Sequence, residues 1–172
     1  MVTQFIQLPI SNRLQGDKIM AKFQRILLAT DFSEPSSCAT ELAILMAKTF
    51  GGSLDVLHVL ESETALMTDG VAYLPSNFFE EIEKHAAERL EAVIPREDRD
   101  KLAVTLVMRK GAPFLEIIRY ARERNMNLIV LGTHGRGALA HVLMGNVAER
   151  AVRKAPCPVL TIRHPRHEFV MP

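Results

Sequence analysis

The apolar positions of the chain fall into five short runs, each bounded by polar or turn-forming residues. Runs of about four to eight residues with such boundaries are typical of strands that are buried on both faces of a sheet. The first run stops at Thr30-Asp31, and the last follows Pro156-Cys157-Pro158, which favours an extended backbone. We therefore predict five strands, over residues 26–29, 54–60, 103–108, 128–131 and 159–162.

Between the strands, four stretches carry apolar residues at the i, i+3, i+4 spacing of an amphipathic helix. The first begins after Ser33 and stops at Gly51-Gly52, and the second stops at Pro95. Residues 61–76 show no sustained period and are predicted to form a long loop. The four helices are predicted over about residues 35–50 and 77–94, after Pro113, and around residues 147–152.

Strands and helices alternate along the chain, which is typical of a parallel sheet with crossover helices. Right-handed crossovers predict a Rossmann-like α/β fold, in which an open five-stranded parallel sheet carries helices on both faces. With a strand order of 3-2-1-4-5, the strand Val159–Ile162 lies at an open edge of the sheet. A bare apolar edge invites pairing, so a partner strand is expected there.

Length, composition and charge narrow the class of protein. The 172 residues predict one domain, and the 48% hydrophobic and 24% charged composition is that of an ordinary globular protein. A net charge of +1 argues against a general nucleic-acid binder. No apolar run approaches the roughly 18 residues of a membrane span, and two cysteines, Cys38 and Cys157, favour a reducing, cytoplasmic location. Residues 1–19 are predicted to be an N-terminal extension, residues 20–164 the domain and residues 165–172 a tail.

The polar face of the second helix is most simply explained as a solvated surface. Glu80 and Lys84 are four residues apart, as are Glu81 and His85, and Arg89 belongs to the same charged set. An acidic site for a partner protein is the alternative interpretation.

The candidate chemistry lies at the carboxyl ends of strands one and four, where ligands bind in open α/β sheets. Strand one ends in Ala29-Thr30-Asp31. Strand four ends in Leu131-Gly132 and continues through Gly135-Arg136 to Gly145, directly before a helix. Glycines let the backbone approach a phosphate closely, and a helix start favours anions.

Simpler interpretations of the same residues stay open. The glycines would serve only as tight turns, Asp31 would cap the first helix, and Arg136 would be a solvated loop cation. His134 and His141 are seven residues apart in a loop, and we predict no metal site there.

Three well-known motifs for phosphate binding or phosphorylation do not fit the chain. A P-loop needs a lysine where Ala138 stands, and a dinucleotide fingerprint needs glycines where the chain has ATDFSEPS after strand one. A receiver-type phosphorylation site needs an acid after strand three, where Arg109-Lys110 follows.

Four segments resemble the universal stress protein family over about residues 22–163. They read ILLATDFSEPS, LDVLHV, LIVLGTHGRG and LMGNVAERAVRKAPCPVLTIR. Nucleotide-binding members of the family carry G-x2-G-x9-G-[ST]. Gly132, Gly135 and Gly145 meet the three glycine positions, whereas Asn146 stands where serine or threonine is usual. An asparagine amide donates hydrogen bonds, so binding is expected to survive with altered strength.

The resemblance implies an ATP-binding regulatory protein, with or without Mg2+, that forms a homodimer through Val159–Ile162. It places Ala29, Thr30 and Asp31 at the ribose and adenine, and Leu54 at the base. The remaining expected contacts, at the ribose and phosphates, are Leu131, Gly132, Gly135, Arg136, Gly145, Asn146 and Val147.

Catalysis is not expected, because no nucleophile with an adjacent base and no paired carboxylates stand at the strand ends. The alternatives are a dimeric interaction module that binds no nucleotide and a weak ATP hydrolase.

Overall fold

A computed structural model describes residues 23–61, 77–133 and 145–163. The predicted extension and tail lie outside the described residues, as do Gly135 and Arg136 of the candidate site and most of the predicted 61–76 loop.

The described residues form one five-stranded parallel sheet in the order β3-β2-β1-β4-β5, which confirms the predicted fold. The strands are β1 Arg25–Ala29, β2 Ser53–Leu60, β3 Val104–Lys110, β4 Leu128–Gly132 and β5 Val159–Ile162. The helices are α1 Glu34–Phe50, α2 Phe78–Val93, α3 Arg96–Arg99, α4 Pro113–Glu123 and α5 Asn146–Lys154.

Helices cover both faces of the sheet. On one face, Ile26, Leu28 and Val56 pack against Ala39 and Ala43 of α1, and Leu90 of α2 joins the same cluster. On the other face, the alternate strand residues, such as Leu27, Leu57 and Ile129, pack against α4 and α5. The central strands β1 and β4 are thus apolar on both sides, because the middle of a parallel sheet is buried between two helical layers.

Two elements differ from the predictions. The four-residue helix α3 was not predicted, because so short a segment shows no period. The third strand runs to Lys110 instead of ending at Met108, because it pairs with β2 as far as Leu60. Since β3 is an edge strand, Arg109 and Lys110 fit it without burying a charge in the middle of the sheet.

A polar pair is enclosed in the layer between the sheet and α4. The Tyr120 hydroxyl donates to Asp55 Oδ2 at 2.7 Å, and both residues are buried. Arg124 Nε lies 3.7 Å from the same carboxylate oxygen. Burial raises the pKa of Tyr120 to about 12, and the hydrogen bond to Asp55 raises it in the same direction.

In the three described parts of the chain, no helix combines the length and the apolar character needed to cross a bilayer.

Candidate functional site

The carboxyl ends of β1 and β4 lie side by side, because Ala29 pairs with Leu131. The strand order reverses at this point, since β2 and β3 follow on one side of β1 and β5 lies on the far side of β4. Such a reversal of strand order, at the carboxyl ends of the strands, is the usual ligand position in an open α/β sheet.

The loop between β1 and α1 is held by hydrogen bonds of its own side chains. The Thr30 hydroxyl lies 2.5 Å from the Ser36 hydroxyl and accepts the backbone N–H of Phe32 at 3.1 Å. Asp31 Oδ1 accepts from the Ser33 backbone N–H at 3.0 Å and from the Ser33 hydroxyl at 2.6 Å. Asp31 thus orders the turn, whereas the residue at the N-cap of α1 is Ser33, whose side chain makes no cap hydrogen bond.

Gly132 ends β4 against the start of α1. A Cβ on Gly132 would lie 3.0 Å from the carbonyl carbon of Pro35 and 3.1 Å from the backbone nitrogen of Ser36. Contacts this short between a side chain and backbone require a shift of the helix. Glycine at position 132 is therefore favoured by packing against α1, in addition to being part of the glycine motif.

Backbone hydrogen bonds bring the start of α5 to the same edge. The Thr133 N–H donates to the Ile162 carbonyl at 2.8 Å, and the Gly145 N–H donates to the Thr133 carbonyl at 2.7 Å. The second bond joins the two ends of segment 134–144. As a result, α5 begins beside the end of β4.

The start of α5 suits an anion. Gly145 is the N-cap residue and provides no side-chain hydrogen bond to the first turn. Asn146 is exposed at the first helical position, and Val147 is partly buried against the α4 and α5 layer. The first N–H groups of a helix have no partner within it and carry partial positive charge. Phosphate oxygens are the acceptors that fit such a terminus.

The structure brings most of the predicted site residues to this edge. The exception among the described residues is Leu54. The residues at the edge are Ala29, Thr30, Asp31, Leu131, Gly132, Gly145, Asn146 and Val147.

Leu54 lies at the opposite end of the sheet, so the expectation that it contacts a base is wrong. It pairs with Ile26 near the start of β1, and its side chain is fully buried. Strand β2 reaches the ligand edge at Val59, about 17 Å further along at the usual rise per residue. The direction of the strand was the available signal, because only the carboxyl end of the run LDVLHV can reach the ligand edge of the sheet.

Three residues at the edge were not predicted to act together. His58 is buried, and its Nδ1 donates to the Thr30 carbonyl at 2.8 Å. The rings of Phe32 and His58 are 4.1 Å apart between centroids. Arg89 of α2 donates through Nη2 to the Phe32 carbonyl at 3.0 Å and holds its guanidinium carbon 4.6 Å from the Phe32 ring centroid.

Arg89, Glu80 and Lys84 are all exposed, as the solvated-face interpretation of α2 predicts, but that interpretation does not include the contact between Arg89 and Phe32. The partner of Glu81 is also different, since its Oε1 accepts from Asn77 Nδ2 at 2.6 Å. Nothing in the periodicity of the helix reveals the contact of Arg89, because it depends on the fold of a loop 57 residues away.

Among the residues that the structure describes, no three His, Cys, Asp or Glu side chains form a cluster that could hold a metal ion. His134 and His141 lie outside them.

The fold and this edge define a Rossmann-like α/β domain whose candidate site lies at the reversal of strand order. The family model described as the universal stress protein family matches residues 22–163, and the chain belongs to that family.

Two relatives show the extent of the similarity. A universal stress protein of Thermus aquaticus is 35% identical over 150 residues, which cover 82% of this chain and 99% of the relative. The universal stress protein MJ0531 of Methanocaldococcus jannaschii is 31% identical over 148 residues, which cover 85% of each chain.

Solved structures share the fold at lower identity. The structure of the protein MJ0577 has a TM-score of 0.72 at 23% identity and covers 84% of this chain and 99% of its own. A universal stress protein in complex with cAMP has a TM-score of 0.58 at 19% identity, and the match covers 82% of this chain and 97% of that protein. A universal stress protein from Archaeoglobus fulgidus in complex with dAMP has a TM-score of 0.55 at 20% identity, and the match covers 81% of this chain and 98% of that protein.

Proposed function

We propose that this universal stress protein binds ATP at the edge between β1 and β4 and acts as a nucleotide-responsive regulatory homodimer. The observation that carries the proposal is the uncapped start of α5, which lies beside the carboxyl ends of both strands. The spacing of Gly132, Gly135 and Gly145 supports a phosphate ligand. The cAMP and dAMP complexes of two proteins with this fold support an adenine nucleotide.

The binding roles follow the positions along the edge. Ala29, Thr30 and Asp31 face the nucleoside, and Val59 takes the place at the base that was first assigned to Leu54. At the other end, Asn146 and Val147 provide backbone N–H groups to the outer phosphates. Gly145, whose own N–H is bonded to the Thr133 carbonyl, fixes the start of the helix beside them. The ribose and inner phosphates are assigned to Leu131 and Gly132 at the end of β4 and, from the glycine motif alone, to Gly135 and Arg136, which lie outside the described residues.

We propose no hydrolytic role for the chain's own residues. Mg2+ would arrive with the triphosphate, because the described residues offer no resident carboxylate cluster. Asp31 is the carboxylate at the edge, and its Oδ1 is already engaged with Ser33.

The homodimer is proposed to form through β5, an edge strand of the sheet. Its four residues are all only partly buried. The Pro158 and Ile162 carbonyls point toward β4, since they accept from Ile129 and Thr133. Backbone groups alternate in direction along a strand, so the N–H and C=O of Thr161 point to the open side. We propose a cytoplasmic location because Cys38 and Cys157 are both free thiols.

Substitution of Asn146 tests the phosphate site, because it should affect the stability of the free protein and the stabilisation by ATP in opposite directions. Asn146→Asp adds a negative charge to the start of α5, which stabilises the helix by about 0.3–1 kcal/mol but repels phosphate. The melting temperature without ligand should stay equal or rise, and the rise produced by ATP with Mg2+ should disappear. Asn146→Ser, which keeps a neutral hydrogen-bonding side chain, is the matched control and should retain the ATP-induced rise.

Differential scanning fluorimetry with and without ATP and Mg2+ decides the outcome. A wild-type protein indifferent to millimolar ATP would contradict the proposal and favour an interaction module that binds no nucleotide. If ATP raises the melting temperature of Asn146→Asp as much as that of the wild type, the phosphates do not bind at the start of α5.

A further inference from the structure

Phe32 has an unusual backbone conformation in the middle of the proposed nucleotide loop. Its φ is +63°, in the left-handed region that residues with a Cβ rarely adopt. It lies between Asp31 and Ser33, whose side chain and backbone bind the Asp31 carboxylate. Such a conformation persists only where surrounding contacts hold it, and it is often found at ligand sites.

On the sheet side of the loop, Phe32 contacts Thr30 and His58. The Phe32 N–H donates to the Thr30 hydroxyl at 3.1 Å. Its ring stacks at 30° on His58, which is itself fixed to the Thr30 carbonyl. Both contacts belong to the buried end of β1 and β2, and neither binds the Phe32 carbonyl.

The helix side holds Phe32 through Arg89. The guanidinium donates to the Phe32 carbonyl at 3.0 Å and lies 4.6 Å from the ring centroid, so one side chain binds both the backbone and the ring. A planar cation suits this pair of contacts, because it donates in its plane and stacks on an aromatic face. A backbone carbonyl in a left-handed residue is thereby fixed in direction.

We infer that Arg89 is a positioning residue for the nucleotide site: it holds Phe32 in the left-handed conformation and so keeps the Asp31 carboxylate facing the nucleoside. The inference rests on the proposed function. Arg89 touches neither the nucleotide nor its phosphates, and its effect passes through the loop. By reciprocity of binding free energies, an occupied site should also stabilise the contact between the loop and α2.

Two measurements on the full chain test the inference, each with Arg89→Ala, Arg89→Lys and Arg96→Ala. Arg96→Ala is the matched control, because it removes the same charge from an exposed arginine that binds no other described side chain. The first measurement is amide hydrogen exchange at residues 30–36 without ligand. The second is isothermal titration with ATP and Mg2+ and, separately, with AMP.

Arg89→Ala should exchange faster at residues 30–36 and bind both nucleotides about three- to tenfold more weakly, as expected when the competent loop is only partly populated. The factor should be equal for ATP and AMP, because the loop serves the nucleoside end that they share. Arg89→Lys should recover part of the affinity, and Arg96→Ala should match the wild type.

Three results would overturn the inference. Unchanged exchange in Arg89→Ala means that Arg89 does not hold the loop. Faster exchange with unchanged affinity means that its role is only structural. A loss confined to ATP means that its charge acts on the phosphates. If the wild type binds neither nucleotide, the proposed function fails and the inference fails with it, while the exchange data still report the loop contact.

Discussion

At the scale of single residues, Gly132 is needed by the fold before any ligand is considered. Its backbone lies against Pro35 and Ser36 at the start of α1, where a Cβ would come within 3.0–3.1 Å of their atoms and would require the helix to shift. A substitution at Gly132 would therefore weaken nucleotide binding even if this glycine never touched a phosphate. Asn146, which is exposed, is the better probe of binding.

Gly132→Ala should lower the free energy of unfolding by about 1–3 kcal/mol, because its Cβ meets backbone atoms that can move only with the helix. Urea denaturation without ligand measures the change, with Asn146→Ala as an exposed control expected within about 0.5 kcal/mol of the wild type. An equally small change in the free energy of unfolding for Gly132→Ala would mean that α1 shifts to accept the Cβ without loss of stability.

Tyr120 gives a prediction about alkaline pH. The pKa of Tyr120 is raised from 10.0 to about 12 by burial and by its bond to Asp55, so the folded chain holds this proton more tightly than the unfolded chain. The resulting stability is complete below about pH 10 and is lost as the pH rises through 12. Two pKa units correspond to about 2–3 kcal/mol.

Tyr120→Phe should accordingly be less stable than the wild type at pH 8 by about 1–3 kcal/mol, because Asp55 loses a buried donor. The difference should shrink between pH 10 and 12. Chemical denaturation of both proteins across this range checks it, and two parallel stability curves would show that Tyr120 keeps its ordinary titration.

Single residues also show what the sequence can and cannot predict. Thr30, Asp31 and Gly145 were placed at the edge because position along a strand or before a helix follows from the order of elements. Leu54 was misplaced because it was assigned from the resemblance without regard to strand direction, although it stands at the start of its apolar run and ligands bind at the carboxyl end. Arg89 is exposed as predicted, but its bond to Phe32 was missed, because a contact with a distant loop leaves no trace in helical spacing.

At the scale of elements, short bounded apolar runs predicted every strand, and helical periodicity predicted each helix of nine residues or more, within the residues that the structure describes. The parallel order followed from the alternation, because right-handed crossovers leave few topologies. Helix α3 was missed because four residues cannot show a period. The extra length of β3 was missed because charged residues at its end were taken as a loop, whereas an edge strand tolerates them.

Strand β5 carries the element-scale prediction for the dimer. Thr161→Pro removes an N–H that points to the open side, while the bonds of Ile129 and Thr133 to β5 and its neighbour Pro158 stay in place. If two copies pair through this edge, the variant should be monomeric where the wild type is dimeric. Thr161→Val, which keeps the N–H, should remain a dimer.

Sedimentation analysis at equal protein concentrations measures the association of these proteins. A dimer of undiminished strength in Thr161→Pro would move the interface away from the edge of β5. Unfolding of the variant, followed by circular dichroism, distinguishes a lost interface from a lost strand.

At the scale of the whole molecule, we propose that nucleotide binding and dimerisation occur in the same assembly. The proposed nucleotide site lies at the edge between β1 and β4, and the proposed dimer forms through β5, which is hydrogen-bonded to β4. The two are therefore neighbours within the sheet. Membership of the family gives the fold and the expected site, and the described contacts give the reason why each residue lies where it does.

Native mass spectrometry of the full chain titrated with ATP tests the central claim most directly, because it reports subunit number and bound nucleotide in the same spectrum. The account predicts a dimer that gains mass in steps of one ATP and saturates at one nucleotide per chain, with saturation lost in Asn146→Asp. A wild-type spectrum without a saturable ATP adduct at millimolar ATP and Mg2+ would contradict it.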